Sequence, residues 1–344
     1  TSLAVDYQIP VSVPFSVTVE GIFNKTLNAA TLSDWSVRDV RGFTRLNGAD
    51  NRPIYPTGAG RLPDVTQAYV LENTSRGYGW SGSITLNAQP WDFMSLMAAY
   101  THTVSKEVTS LPGSNASSVL NYISTVYGPN NIKLHNGKNV TPDRFIASAT
   151  IHDKSNNHYS LIYETWRGGY NYSYMTMNDM NGDSYNYDAI YIPTDQQVAN
   201  KEFRFVSEDD QNRFMDYVHN NSYLKNHQGE YAEAYSLYSP WVHRIDFSYK
   251  HDFKLDIAKH THTLQVSFDM KNVLNFFNSS WGVSKYLNPE IGSEARILKY
   301  EGYDADGIAT FSTPKSINGN TKTFVPNHAI GQCWYASVGV KYIF

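Results

Sequence analysis

The sequence predicts an all-β fold, part of a transmembrane antiparallel β-barrel, and three observations lead to this prediction. The 344 residues include 26 Tyr, 16 Phe and 7 Trp, whereas only 17% of them are charged. Apolar and polar residues alternate along stretches whose length suits a tilted strand that crosses a bilayer, about 9–11 residues. Short and long links alternate between these stretches, as periplasmic turns and extracellular loops do in outer-membrane barrels.

The composition favours membrane strands over membrane helices. No stretch approaches the roughly 20 continuous apolar residues of a spanning helix. Aromatic girdles and a polar lumen account for the many aromatic and small polar residues, although a soluble β-sandwich rich in tyrosine fits the composition equally well. The formal net charge of −4 gives no electrostatic reason to expect a nucleic-acid partner. The single cysteine, Cys333, excludes an internal disulfide framework and a cysteine-based metal site.

Alternation with a period of two residues is clearest near the C-terminus. Between residues 241 and 253 the odd positions are mostly aromatic or aliphatic, and the even positions are mostly polar. Residues 264–271 repeat the pattern. Residues 334–344 then place aromatic residues at both ends of one face and small or aliphatic residues in its middle, as a lipid-facing strand does. Six weaker versions of the pattern lie at about 3–9, 13–24, 77–88, 93–104, 144–153 and 158–169. The sequence therefore predicts nine strands in total.

The links between these strands assign the two sides of the membrane. Short links are predicted at about 10–12, 89–92, 154–157 and 255–262. Long extracellular loops are predicted at about 25–76, 105–143, 170–240 and 275–332, which places the C-terminus in the periplasm. Bacterial single-chain barrels have an even number of strands, and open edges in lipid leave backbone groups unpaired. We therefore expect residues 1–344 to be the C-terminal portion of one larger barrel domain.

The last eight residues carry an assembly motif. Ser337, Gly339, Tyr342 and Phe344 fit the pattern polar-x-Gly-x-x-aromatic-x-aromatic. This pattern resembles the β-signal through which the barrel-assembly machinery recognises outer-membrane proteins. The alternative is an ordinary edge strand of a soluble sheet.

Several segments, taken in order, resemble the C-terminal part of TonB-dependent outer-membrane transporters, specifically the Oar-like branch related to SusC-type proteins. The segments are VLENTSRGYGW at 70–80, DMNGD at 179–183 followed by DAIYIP at 188–193, GEYAE at 229–233 leading to PWVHRID at 240–246, and DMKNVLN at 269–275. The resemblance implies a barrel of 22 strands filled by an N-terminal plug, with energy supplied by TonB. The chain departs from this pattern because it contains neither the plug nor the segment that contacts TonB.

The same resemblance implies a location and partners. We expect the outer membrane of a Gram-negative bacterium, with lipid, the rest of the barrel and plug, TonB, the barrel-assembly machinery and a surface lipoprotein as partners. The Oar likeness implies uptake of a peptide or protein, and the SusC kinship implies an oligosaccharide. Two alternatives from other classes are a passive porin or structural barrel, such as an adhesin, and a secreted soluble β-protein that binds glycans.

Aromatic residues are the candidates for substrate binding. Trp166, Tyr170, Tyr172 and Tyr174 lie where a predicted strand leaves the membrane for its longest loop, and Trp35 lies in the first long loop. Such aromatics can stack on sugars or hold a peptide. For Trp166 and Tyr170, anchoring in the aromatic girdle is the alternative.

Calcium is the only cofactor that the sequence raises, and none is required. Asp179, Asn181, Asp183 and Asp188 space oxygen ligands along one segment, as calcium-binding loops do. Gly182 does not lie at the sixth position of an EF-hand loop, however, and no bidentate glutamate closes the segment. A turn hydrogen-bonded by Asp and Asn side chains is the alternative.

Two further features concern the long loops and catalysis. Residues 207–223 begin with a helix N-cap and an acidic first turn, and Phe214, Met215 and Val218 follow at helical spacing, which predicts a short helix in the third long loop. The sequence has no G-x-S-x-G elbow, no H-E-x-x-H and no phosphate-binding glycine loop. We therefore expect no enzyme and no catalytic residues.

Overall fold

The computed structural model describes residues 1–39, 42–55, 60–109, 114–257, 260–292 and 294–344. Strands make up 48% of the structure and helices 12%, and the strands pair mainly in antiparallel sheets. The predicted all-β, antiparallel character is therefore confirmed. None of the helices in the described ranges is long and apolar enough to cross a membrane.

One large sheet, here called the main sheet, joins nine long strands in the order of the sequence. They are β1 (Ser2–Gln8), β2 (Phe15–Lys25), β3 (Gly77–Trp91), β4 (Met94–Glu107), β5 (Asp143–His152), β6 (Asn157–Arg167), β7 (Val242–Ile257), β8 (His260–Lys271) and β9 (Tyr335–Ile343). The two residues His135–Asn136 add a tenth strand beside the end of β4. Among the described residues β1 pairs only with β2 and β9 only with β8, so the sheet has two open edges. Barrel closure and the total of 22 strands remain predictions.

The strand register sorts the main sheet into an apolar face and a polar face, because successive residues of a strand point to opposite sides. Leu161 of β6 is opposite Phe247, which is opposite Met270. The neighbouring residue Ser160 is opposite Ser248, which is opposite Asp269. The apolar face consists mainly of Leu3, Val5 and Tyr7; Phe15, Val17, Val19, Gly21 and Phe23; Trp80, Gly82, Ile84, Leu86 and Ala88; Leu96, Ala98, Tyr100 and Val104; Phe145, Ala147, Ala149 and Ile151; Tyr159, Leu161 and Tyr163; Ile245, Phe247, Tyr249 and Phe253; Leu264, Val266, Phe268 and Met270; and Ala336, Val338, Val340 and Tyr342.

Short and long connections alternate between the two ends of the main sheet. The short ones are residues 9–14, 92–93 and 153–156, and the fourth, 258–259, lies outside the described residues. The predicted link 255–262 is too long, because the ladder between β7 and β8 continues to the pair Ile257–His260. The predicted link 89–92 is also displaced, since β3 continues to Trp91.

The long connections, residues 26–76, 108–142, 168–241 and 272–334, fold together into what we call the cap. Parts of the predicted loops, at 40–41, 56–59, 110–113 and 293, lie outside the described residues. The cap contains the strands Ala29–Asp34, Tyr69–Thr74, Asn171–Tyr172, Tyr174–Thr176, Tyr191–Ile192, Arg204–Phe205, Glu230–Tyr231, Leu237–Tyr238, Lys285–Leu287, Ala295–Tyr303, Ala309–Ser312 and Phe324–Pro326. Its helices are Ala116–Leu120, Asp195–Ala199, Glu208–Asn220, Ser222–Asn226 and Val273–Phe277, with 3₁₀ turns at Pro289–Ile291 and Ile330–Gln332.

The predicted loop helix is confirmed at Glu208–Asn220. Ser207 caps its first turn by accepting a hydrogen bond from the Asp210 backbone N–H. Phe214 and Val218 lie on its buried face and join the core of the cap. The helix therefore stabilises the cap by packing against neighbouring loop segments.

The hydrophobic core lies in the cap. The largest cluster includes Leu46, Tyr174, Ile190, Phe214 and Phe311, which come from three of the four long connections. Among the described residues, no member of any buried apolar cluster belongs to the nine long strands. Burial of apolar side chains thus stabilises the cap, while the apolar face of the main sheet is left uncovered.

Candidate functional site

The apolar face of the main sheet is the largest candidate interaction surface of the chain. At the centre of the strands its side chains stay accessible: Ile84 is 42% exposed, Leu161 45% and Val338 73%. Soluble monomers rarely expose contiguous apolar patches of more than a few hundred Å², because each Å² of apolar surface in water costs about 25 cal/mol. Contact with an apolar environment would therefore stabilise this face.

Aromatic side chains mark both ends of the apolar face. Near the short connections the aromatics include Tyr159 and Tyr249, whose ring centres lie 5.2 Å apart. Near the cap they include Phe145 and Tyr163, at 6.0 Å. Between these levels the face is mostly aliphatic or small, and Phe247 is an aromatic exception opposite Leu161. Tyr and Trp are favoured at the two boundaries of a bilayer because their rings are apolar and their polar atoms reach water.

The polar face carries ion pairs near the cap. Arg144 lies 2.6 Å from Glu164, and Lys271 lies 2.9 Å from Asp246. Arg244 donates to the Gly282 carbonyl oxygen at 2.9 Å, and its guanidinium carbon lies 5.3 Å from the centre of the Trp166 ring. These charged groups are therefore paired or hydrogen-bonded.

Trp166 consequently belongs to the polar face. It shares this face with Ser160 and Glu164, because all three occupy even positions of β6. Anchoring in a lipid-facing girdle, the alternative considered for Trp166, does not suit this position. Trp166 has an even number, as the polar residues of this alternating strand do. This is the sequence signal that distinguishes a position on the polar face from one in the girdle.

The remaining aromatic candidates divide between surface and core. Trp35 is 61% exposed and donates its indole N–H to Glu72 at 3.1 Å, and Tyr170 is 45% exposed. Tyr172 and Tyr174, in contrast, are buried in the core of the cap. This burial leaves little side-chain surface for a substrate, and their contact with substrate stays a prediction.

Three of the four candidate calcium ligands, Asp179, Asn181 and Asp183, are occupied by hydrogen bonds within the turn. The two carboxylate oxygens of Asp179 accept from the backbone N–H groups of Gly182 and Ser184, each at 2.7 Å. Asp183 accepts from the Tyr185 N–H at 2.9 Å and from the Asn181 side chain at 3.2 Å. Within the described ranges no group of three or more His, Cys, Asp or Glu side chains is arranged to hold a metal ion. This geometry favours the turn stabilised by Asp and Asn side chains, and calcium binding remains a prediction.

Asp188, the fourth candidate, belongs to a buried ionic cluster that sequence analysis did not find. Arg52 is fully buried, and its guanidinium lies 3.1 Å from Asp188 and 2.9 Å from Asp50. It also donates to the Ala189 carbonyl oxygen at 2.6 Å. Burial raises the pKa of Asp188 to about 7, although the positive charge of Arg52 acts in the opposite direction. Nothing in the local sequence around Arg52 marks a partner so distant in the chain.

Three of the four residues of the assembly motif lie in β9, and Phe344 follows its last residue, Ile343. Ser337 and Gly339 lie on the polar face, and Tyr342 lies on the apolar face with its hydroxyl 2.6 Å from Nδ1 of His262. A Cβ atom at position 339 would lie only 2.7 Å from Oγ of Ser267, so glycine allows the close approach of β8 and β9 here.

Comparisons of this chain with protein-family models, with curated proteins and with solved structures found no match.

Proposed function

We propose that this chain forms part of the wall of an outer-membrane β-barrel that imports a large substrate with energy from TonB. The cap would then supply part of the external binding surface. One observation carries the membrane assignment: a continuous, exposed apolar face extends over all nine long strands, with a polar face behind it.

The position of the buried core supports a lipid-facing wall over a soluble sandwich. A soluble β-sandwich buries one face of each sheet against the other sheet. Here the buried clusters of the described residues lie in the cap, and exposed Ile84, Leu161 and Val338 lie in the middle of their strands. Lipid is an environment in which such a face gains stability.

The arrangement of connections supports the proposed orientation. The three described short links lie at one end of the sheet, and the folded cap lies at the other. In bacterial outer-membrane barrels the short turns face the periplasm and the long loops face the outside. The transport role itself rests on the resemblance of the ordered segments, such as 70–80 and 269–275, to TonB-dependent transporters.

The proposal is tested on the native protein that contains this chain, extracted from the cells that make it. We expect it in the outer-membrane fraction, with faster migration on a gel before heating than after, and with a crosslink to TonB in intact cells. A membrane-embedded protein without a TonB crosslink would favour a passive porin or a structural barrel. A protein that is soluble without detergent and migrates identically before and after heating would contradict the membrane wall.

A further inference from the structure

A groove of about 720 Å³ lies where the cap meets the ends of β6 and β7, and we call it the rim groove. Its walls combine aromatic rings with amide and hydroxyl groups. Its lining includes Asn136, Arg167, Asn226, Glu233, Tyr238 and Trp241. The volume lies within the range of about 300–1,000 Å³ that is usual for small-molecule sites.

The residues that the main sheet contributes to the rim groove lie on the side of the apolar face. Arg167 occupies an odd position of β6, as Leu161 and Tyr163 do, and its Nε donates to Asp143 on that side at 2.6 Å. Asn136 is opposite Lys106 of β4. Lys106 occupies an even position of β4, as Tyr100 and Val104 do, and therefore lies on the side of the apolar face. Because the apolar face ends just below these residues, the groove begins at the level where lipid tails meet head groups.

Charged side chains in the rim groove are already paired. Arg167 is bonded to Asp143, and Glu233 forms an ion pair with Lys106. Among the described residues that line the groove there is therefore no uncompensated cation for a phosphate group. A neutral ligand fits this balance of charge better than an anionic one.

Several polar groups of the rim groove lack partners. The Tyr238 hydroxyl, the Trp241 indole N–H and the side-chain amides of Asn136 and Asn226 make no hydrogen bond to any described residue. The Trp241 side chain is 40% exposed. A pyranose sugar suits this lining. Its C–H groups can stack on the aromatic rings of the protein, and its hydroxyl groups can bond to the side-chain amides.

A second depression lies on the apolar face below the rim groove. Its volume is about 380 Å³, and the small side chains of its lining leave room for it. Its lining includes Ala98, Ala147, Ala149 and Leu161, and it crosses the sheet from Phe15 of β2 to Tyr163 of β6, four residues before Arg167. A surface of this shape accommodates a hydrocarbon chain that descends from Tyr163 and crosses the strands.

From these two surfaces we infer that the rim groove binds the saccharide head group of a glycolipid in the outer leaflet, while one acyl chain follows the alanine-lined depression. This inference rests on the proposed membrane wall, since only an embedded sheet presents both surfaces to one lipid molecule. The saccharide stacks on Trp241 and bonds to Tyr238, Asn136 and Asn226. Binding of the glycolipid would hold the protein among particular lipids and would support the cap at the membrane surface.

The experiment measures lipid retention by native mass spectrometry of the native, detergent-purified protein. The probes are monogalactosyl diacylglycerol, phosphatidylglycerol with the same acyl chains, and soluble methyl galactoside. We expect about tenfold preference for the glycolipid over phosphatidylglycerol, and little competition from methyl galactoside. Trp241→Ala should reduce glycolipid retention about tenfold, Tyr238→Phe should reduce it by a smaller factor, and the matched control Trp281→Ala should leave it unchanged.

Three outcomes would overturn the inference: equal retention of both lipids, competition by methyl galactoside at the concentration of the glycolipid, or unchanged retention in both groove variants. Gel migration before and after heating is recorded for every sample. Loss of the heat-dependent shift in the unmodified protein would contradict the membrane wall itself. A normal shift without glycolipid preference would contradict only the head-group site. Tyr238→Phe removes a single hydroxyl, so it decides the question if Trp241→Ala fails to fold.

Discussion

The guanidinium of Arg52 lies 3.1 Å from the carboxylate of Asp188, and both side chains are buried inside the cap. The pair joins the first long connection to the third, and Asp50 is a second carboxylate that bonds to the same guanidinium. A buried ion pair adds little net stability over an apolar replacement, but loss of one partner leaves a buried charge uncompensated.

Arg52→Gln should therefore destabilise the cap by about 3–5 kcal/mol, because Asp50 and Asp188 would both lose their cation. The measurement is hydrogen exchange of cap amides such as that of Met180, which donates to Asp188. Arg204→Gln is the control, since Arg204 pairs with Asp304 and Asp306 at the surface, and its replacement should leave exchange unchanged. Equal protection in Arg52→Gln and the unmodified protein would contradict the assigned role.

The cap should lose stability as the pH rises from about 4 towards 7. Burial raises the pKa of Asp183 well above its ordinary value of 3.8 and that of Asp188 to about 7. The folded state then binds more protons than the unfolded state in this window, so ionisation at higher pH opposes folding. Thermal unfolding of the cap, followed at pH 5 and pH 7, checks this direction.

Asp183→Asn should flatten that pH dependence, because the amide keeps one oxygen acceptor and cannot ionise. The variant should also be more stable than the unmodified protein at pH 7. If calcium occupied this turn, the same substitution would lower stability, and a chelator would lower that of the unmodified protein. That pair of results would favour the calcium site over the hydrogen-bonded turn.

Much of the main sheet could be predicted because its pattern is local. Alternation along β7 and β9 fixes which residues share a face, and the lengths of the links indicate which ends they join. The β7–β8 hairpin was predicted too short because His260, Thr261 and His262 are polar and suggest a solvated turn. In the structure these residues continue the ladder, with Thr261 donating to Asp256 at 2.8 Å.

The cap could not be predicted because its contacts join distant segments. Tyr172 and Tyr174 continue an aromatic alternation and suggest a surface, yet they are buried. Strand Asn171–Tyr172 pairs with Leu237–Tyr238, and Tyr174–Thr176 pairs with Ala295–Tyr303. The alternation of a single segment carries no information about such partners, nor about the match between Arg52 and Asp188.

Leu161→Arg should destabilise the protein by about 2–4 kcal/mol in membranes, since it places a charge at the centre of β6 on the face that we propose contacts lipid. Ser160→Arg, one position earlier and on the polar face, should have a small effect. Leu161 is already 45% exposed, so a soluble sheet would tolerate both substitutions alike. Unfolding midpoints in guanidinium chloride, with gel migration as readout, compare the two variants, and equal midpoints would count against lipid contact.

Phe344→Ala should reduce the folded protein in the outer membrane severalfold, because it removes the terminal aromatic residue of the proposed assembly motif. Ile343→Ala is the matched control. It changes the adjacent position, which the motif leaves free, and should give normal amounts. Immunoblots of unheated outer membranes measure both. Similar losses in the two variants would assign the effect to the edge strand in general.

The central claim, that the apolar face contacts lipid, is tested most directly by spin labels at Ile84 and Thr85, adjacent residues on opposite faces of β3. Each position is replaced by cysteine in the native protein with Cys333→Ser, and the label's collisions with oxygen and with a water-soluble nickel complex are measured in membranes. The account predicts that the label at position 84 meets oxygen but not nickel, while the label at position 85 meets nickel. Access of nickel to both positions would contradict it.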